Sequence, residues 1–399
     1  MAKRERDLTI EEQLARGPMD LPFLMLVMLL LGIGIIMLLS ASYASAYYDV
    51  KVSSPYFYFL RQLVFGAAGT VVLYFVSKIN YQTWRWVSVF VLLAAFALLA
   101  LVLVAGENIN GATRWLRLGP ITIQPSEVAK LGVILYFSAR LCKRSTEKKR
   151  KWNKRTLVGR TLNRMDRVGL LELLPYIGIL LAIAVLMLLE PHMSGTILIL
   201  VAGASVLFVS GIKLYWFIGG GVAAGGALAF LMTQMSHTSK RLAVWRDPYI
   251  DPSGDGYQAI QSKLAIGSGG LLGRGLGNSI QKFLYLPEPE NDVVFAIVCE
   301  ELGFIGTVLI LVLFALLIIR GYWIAIHARD RFGSLLVVGI ITLFAFQVFF
   351  NIGVITGLLP VTGISLPFFS CGGTALMIQL AEMGIVLSVS RQIPAPKGR

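Results

Sequence analysis

Charged side chains are scarce in this chain: Asp, Glu, Lys and Arg make up 15% of its 399 residues. Soluble globular domains carry roughly a quarter. Histidine and cysteine are scarcer still, at three each. Cys142, Cys299 and Cys371 lie far apart and form no CxxC pair, so neither a disulfide framework nor a cysteine zinc site follows. They read as small apolar residues in packed helices. His192, His237 and His327 fall in three different loops, which leaves no histidine metal cluster. No internal repeat, low-complexity stretch or Walker-type phosphate loop occurs.

What fills the chain instead is apolar sequence. Hydrophobic residues make up 56%, in runs long enough to cross a bilayer at about 20 residues each. The pattern predicts an all-α polytopic membrane protein with about ten transmembrane helices over residues 21–390. The first run goes from Leu21 to about Tyr43. It is too long for a signal-peptide core, so Ala44, Ser45 and Ala46 are not a cleavage site. The other runs fall near 58–78, 84–105, 125–142, 169–189, 193–210, 213–233, 292–320, 333–358 and 367–390.

The net charge of +14 does not mark a nucleic-acid partner, because the basic residues cluster in particular loops. In a membrane protein that clustering sets orientation. The densest block, within residues 140–168, includes Lys148, Lys149, Arg150 and Lys151. It reads as a topology determinant, with anionic membrane lipid as an alternative partner. Ten spans put this block, the tail 1–20 and the tail 391–399 on one side, predicted cytoplasmic. The opposite side receives a much longer loop, 234–291, between the seventh and eighth spans. It keeps Trp245, Tyr249, Tyr257 and Tyr285, so it is expected to fold back onto the bundle.

The chemistry-bearing residues lie on that outer side. In the loop 106–124, Arg114 and Arg117 are candidates to hold phosphates, since guanidinium forks match phosphate oxygens. Pro125 suits the first turn of a helix, and Glu127 suits its positive N-terminus. Lys130 follows three residues on. An ionisable pair inside an apolar span is a functional hypothesis by default. The long loop adds Arg246, Gln258, Ser262 and Lys282 around a glycine-dense run, 267–277. Such glycines let backbone approach a ligand closely.

Asp292 closes the loop at the edge of an apolar run. It reads either as a helix N-cap or as a base that takes a proton from a sugar hydroxyl. Ala296, Cys299, Gly303 and Gly306 form a small-residue stripe on its face, expected to admit another helix or a lipid chain. Gln347 and Asn351 share one face of the ninth span. Gly357 to Thr374 is rich in glycine and proline, so it reads as a re-entrant turn or a substrate contact that includes Ser370.

Taken together, these stretches resemble the SEDS family of bacterial cell-wall proteins, the FtsW, RodA and SpoVE group. The matches are Asn110 to Trp115, Gln124 to Glu127 with Lys130, and Tyr257 to Gly277. They continue with Ser279, Gln281, Lys282, Leu286 to Glu288, Asp292, Glu300 to Gly303, and Leu359 to Gly373. The resemblance implies ten helices and a bacterial cytoplasmic-membrane glycosyltransferase that polymerises lipid II into peptidoglycan. It also implies a class B penicillin-binding transpeptidase as partner. Asp292 takes the place of the family's essential loop aspartate, and Arg114, Glu127 and Lys130 match its charged positions. The chain departs at Glu190 to Thr196, where the family's aspartate is missing, and at Glu290 and Asn291, where it usually has His and Thr.

The expected mechanism makes Asp292 the base for the acceptor hydroxyl, with Arg114, Lys130 and Arg246 stabilising the departing phosphates. No cofactor is called for, although a divalent cation is an open alternative for holding those phosphates. The rival functions are a flippase for the lipid-linked precursor, lined by Glu127, Lys130, Glu300 and Gln347, and a scaffold that recruits a transpeptidase.

Overall fold

The computed structural model describes residues 17–48, 54–109, 112–119, 121–145, 169–190, 192–234, 243–254 and 256–393. The basic block Lys148 to Lys151, His237 and the two extreme tails lie outside the described residues. Eleven α-helices and a small sheet carry the described chain. The helices are α1 (Leu21–Tyr48), α2 (Phe57–Lys78), α3 (Gln82–Ala105), α4 (Pro125–Leu141), α5 (Leu170–Leu189) and α6 (Met193–Val209). They continue as α7 (Leu214–Gln234), α8 (Tyr257–Ser268), α9 (Val294–Ile326), α10 (Arg331–Ile355) and α11 (Thr374–Ser390). All but α8 coincide with the predicted spans. Among the described residues, six helices are long and apolar enough to cross a membrane.

Apolar sequence on every side explains the bundle. Leucine, isoleucine and valine surround most helices, so each has one face for its neighbours and one for lipid. Among the six long spans α10 is the most enclosed; it packs against α4, α6, α9 and α11. α2 lies along α11, and α1 lies along α9.

Polar residues tie one end of the bundle together. Asp20 accepts from Arg320 at 2.7 Å, and its backbone N–H donates to Ser390 Oγ at 3.2 Å. Tyr81 and Gln82 donate to Asp330 at 2.7 and 2.6 Å. Residues 17–20 and 390–391 therefore share this end. The opposite end carries the sheet, α8 and Asp292.

The loop 106–124 is more ordered than the sequence suggests. It forms a three-stranded antiparallel sheet of β1 (Glu107–Ile109), β2 (Ala112–Leu118) and β3 (Ile121–Ile123). Gly119, at φ +66°, makes the turn between β2 and β3. Residues 358–373 hold the other difference. The last helix begins at Thr374, because Gly363, Phe368 and Gly373 all take positive φ. This irregular stretch is deeply placed: a Cβ on Gly34, midway along α1, would meet Phe368 O at 2.5 Å. Phe368 and Phe369 are buried against Phe344 and Phe314. Protein covers the non-helical backbone on all these sides, the condition for tolerating it at membrane depth.

α9 contains the largest departure from a regular span. Gly303 sits at φ +66°, ψ −168°, and breaks the helix into two halves. The break frees the carbonyls of Glu300 and Glu301 and the N–H groups of Phe304 and Ile305. The loop after α8 satisfies all four: Arg274 and Gly275 donate to the carbonyls at 3.0 Å each, and Gly270 O and Leu271 O accept at 2.9 and 3.2 Å. Gly303 lies about 14 Å along the helix from Val294, at 1.5 Å per residue. The loop thus re-enters to nearly half the depth of a bilayer core of about 30 Å. Leu271 and Leu272 remain exposed there.

At Cys299 and Gly303 the small-residue stripe on α9 receives this loop's backbone. A Cβ on Gly303 would meet Gly273 N at 2.2 Å. Gly303→Ala is expected to lose at least about 1–3 kcal/mol from the strained backbone alone. Thermal unfolding in detergent checks this; an unchanged midpoint contradicts the close approach.

Candidate active site

Asp292 stands just before α9, and it is not the helix cap. The N-cap is Val293, with no side-chain capping bond. The carboxylate is half-buried and turned toward α8, where Gln258 Nε2 lies 3.4 Å from Oδ1. Asn351 on α10 fixes the backbone, donating to Asp292 O at 2.6 Å and to Ile364 O at 2.7 Å. Gly363 leaves space beside Oδ2: a Cβ there would stand 3.8 Å away. Among the described residues, no cation lies within ion-pair distance of Asp292. Burial pushes its carboxyl from 3.8 to about 6, and the Glu288 charge pushes the same way. Its own backbone and Gln258 pull back. A partly desolvated carboxylate with this affinity for protons is suited to general-base work near neutrality.

Two cavities flank this carboxylate's segment and share Pro287. The larger, about 370 Å³, is lined by residues that include Trp245, Tyr257, Gln258, Lys263 and Gly357. The smaller, about 260 Å³, is lined by Ser45, Tyr48 and Leu284 to Glu290 without Tyr285. Glu290 is buried, accepts from Ser45 Oγ at 3.0 Å, and is held above the usual carboxylate range by that burial.

The other predicted residues separate into groups. Glu127 and Lys130 pair at 2.7 Å and are both buried. Glu382 on α11 is buried with these two charges as neighbours. Arg114 on β2 stands near Glu190 and His192, both within the Glu190 to Thr196 stretch where the sequence departs from its family pattern. Burial raises Glu190 to about 7 against the pull of Arg114, and burial lowers His192 to about 3. Arg246 is exposed next to Trp245. Ser262 is buried in α8. Ser370 accepts from Leu366 N at 2.8 Å, which closes a turn.

Lys282 does not face either cavity as a free cation. Its amine donates to Glu301 at 3.0 Å, Ser40 at 3.1 Å and Gly277 O at 2.5 Å, which fills all three donors. Its neighbour in the sequence pattern, Glu300, accepts from Ser279 Oγ, Ser268 Oγ, Ile280 N and Gln281 N. These two acids hold the re-entrant loop against α9. Among the described residues, no three His, Cys, Asp or Glu side chains converge as a metal-ligand set.

Two residues near the site were not singled out from the sequence. Gln62 on α2 is fully buried and donates to Ser370 O at 3.0 Å, while its oxygen accepts from Gly372 N at 3.4 Å. Arg61 donates to Thr122 on β3 at 3.1 Å and lies beside Gly373. The signal was present: two adjacent polar residues near the start of an apolar run.

A helical bundle with a re-entrant loop and an uncapped, unpaired carboxylate at one end defines a multi-pass membrane protein with a site at the bundle's rim. The chain belongs to the FtsW/RodA/SpoVE family, described as cell cycle proteins, whose model matches residues 21–394. It is 40% identical over 375 residues to Stage V sporulation protein E of Bacillus subtilis (strain 168), across 93% of this chain and 97% of that one. It is 37% identical over 376 residues to a probable peptidoglycan glycosyltransferase FtsW of Trichlorobacter lovleyi, across 93% of each. Among solved structures, a chain of a peptidoglycan synthase complex that coordinates polymerization and crosslinking aligns at TM-score 0.74 and 28% identity. That alignment covers 94% of this chain and 98% of the other. Rod shape determining protein RodA of Thermus thermophilus aligns at TM-score 0.66 and 27% identity, over 95% and 98%.

Proposed function

We propose that this chain is a peptidoglycan glycosyltransferase that polymerises lipid II at the outer face of the bacterial cytoplasmic membrane, with Asp292 as its general base. The observation that carries this reading is the carboxylate itself: uncapped, unpaired, partly desolvated and beside a cavity whose wall shares Gln258 with it. In the reaction, Asp292 accepts the proton of the acceptor sugar's hydroxyl. The oxygen attacks the anomeric carbon of the donor, a glycosidic C–O bond forms, and the bond to the lipid pyrophosphate breaks. Pyrophosphate leaves readily as an anion, so the site needs a base more than an acid.

The relatives' names and the synthase-complex alignment support polymerisation. The same complex supports a class B penicillin-binding transpeptidase as partner. Ten crossings with both tails cytoplasmic agree with the shared end of residues 17–20 and 390–391. The transporter alternative is weakened by Glu127, Lys130 and Glu300, each of which is occupied by a neighbour.

The test is purified protein in detergent, given lipid II with and without a transpeptidase partner. Glycan chains are expected in at least one arm. Detergent removes sidedness, so a flippase makes none, and absence of product in both arms overturns the reading. The pH dependence is a second readout. Asp292 works only when ionised, and its carboxyl sits at about 6 instead of 3.8. The initial rate is therefore expected to fall as pH drops through about 6. A rate that stays level down to about pH 4.5 contradicts the assignment.

A further inference from the structure

We propose that Lys263 reads a negative charge on the saccharide substrate, from the wall of the larger cavity beside Asp292. This rests on the glycosyltransferase reading and adds a specificity residue to it.

The wall of that cavity has the composition of a sugar site. Trp245 and Tyr257 supply flat apolar faces, and Gln258 supplies an amide. Small-molecule sites combine apolar walls with a few placed polar groups in this way, at volumes of about 300–1,000 Å³. The indole N–H of Trp245 donates to Gly357 O at 3.0 Å, which fixes the ring. Gln258 joins the cavity to the base, since its amide also reaches Asp292. A sugar seated there is separated from the carboxylate by the Gln258 side chain.

Lys263 is the cation of this wall. Its side chain crosses from α8 to the end of α10, close over Gly357. A Cβ on Gly357 would meet Lys263 Cε at 2.6 Å and Nζ at 3.0 Å. Gly357 lies at φ +79°, so glycine suits both the turn and the approach. Lys130 and Lys282 each have a carboxylate partner, at 2.7 and 3.0 Å. Among the described residues, Lys263 has no such partner. An exposed lysine held over a cavity with its charge unanswered is matched by an anion on the ligand. A lipid-linked peptidoglycan precursor offers two: the pyrophosphate that joins sugar to lipid, and the carboxylates of its peptide.

The experiment measures polymerisation kinetics for wild type, Lys263→Gln and Lys263→Arg. Lys263→Gln is expected to raise KM about tenfold or more, the size of a lost hydrogen bond between charged groups, with kcat within about twofold. Lys263→Arg is expected to restore most of the loss. Inorganic pyrophosphate and the lipid-free disaccharide-peptide are then used as inhibitors. The one whose inhibition weakens in Lys263→Gln identifies the anion. Equal KM and equal inhibition by both, at an unchanged melting temperature, overturn the proposal. If wild type makes no polymer, the glycosyltransferase reading fails instead. Calorimetric titration of both probes into wild type and Lys263→Gln still decides whether the amine binds an anion.

Discussion

Asp292→Asn is expected to lower glycan polymerisation about 100- to 10,000-fold, the usual contribution of a positioned base. The fold should not suffer. The native carboxyl sits at about 6 against an ordinary 3.8, so the fold prefers the protonated form. That preference stabilises the protein below about pH 4 and is lost as pH rises through about 6. Asparagine resembles the protonated acid in shape and charge. The variant is therefore expected to melt at or above the wild-type temperature at pH 7. Asn351 holds the backbone of residue 292, not its side chain, so the local geometry survives the change. Wild-type polymerisation by Asp292→Asn would remove the base from the mechanism. Loss of activity together with a large fall in melting temperature would point to a structural role instead.

Glu301→Leu is expected to be the most damaging change away from the base. It leaves the Lys282 ammonium buried, with its carboxylate partner gone. Breaking one side of a buried pair costs about 3–5 kcal/mol, because an uncompensated charge stays out of water. That pair is one of the ties that hold the re-entrant loop, and this loop leads directly into the segment that carries Asp292. Both the unfolding midpoint in detergent and polymerisation should fall. Lys282→Met combined with Glu301→Leu should recover much of the lost stability, since an apolar pair replaces an ionic one. If the double variant unfolds as early as the single, the two residues are not coupled as their 3.0 Å separation implies.

The membrane class was legible at once, because hydrophobicity accumulates along a run and needs no partner. The ten predicted spans follow from that alone, and so does the position of Asp292 at the edge of one of them. Family motifs then attached a reaction to the residue. The loop between the seventh and eighth spans was also expected to return to the bundle, since its aromatic side chains need cover, and α8 does pack on α9.

The sequence could not place the loop's depth or its partners. Gly303 reads as one small residue in an apolar stripe; only the packed structure shows it as the break that docks backbone from 270–275. Lys282 reads as a substrate-binding residue beside the glycine-dense run, yet its amine is taken by Glu301 and by Ser40, which itself donates to Glu301 from 261 residues away. Nothing in the sequence distinguishes Lys263 from other lysines; its place over Gly357 belongs to the folded chain. Apolar length is a local property of the chain, so it determined which segments are buried in membrane and where the carboxylate emerges. The partner of each buried polar group is chosen by whichever distant segment can satisfy it, and only the tertiary structure decided that.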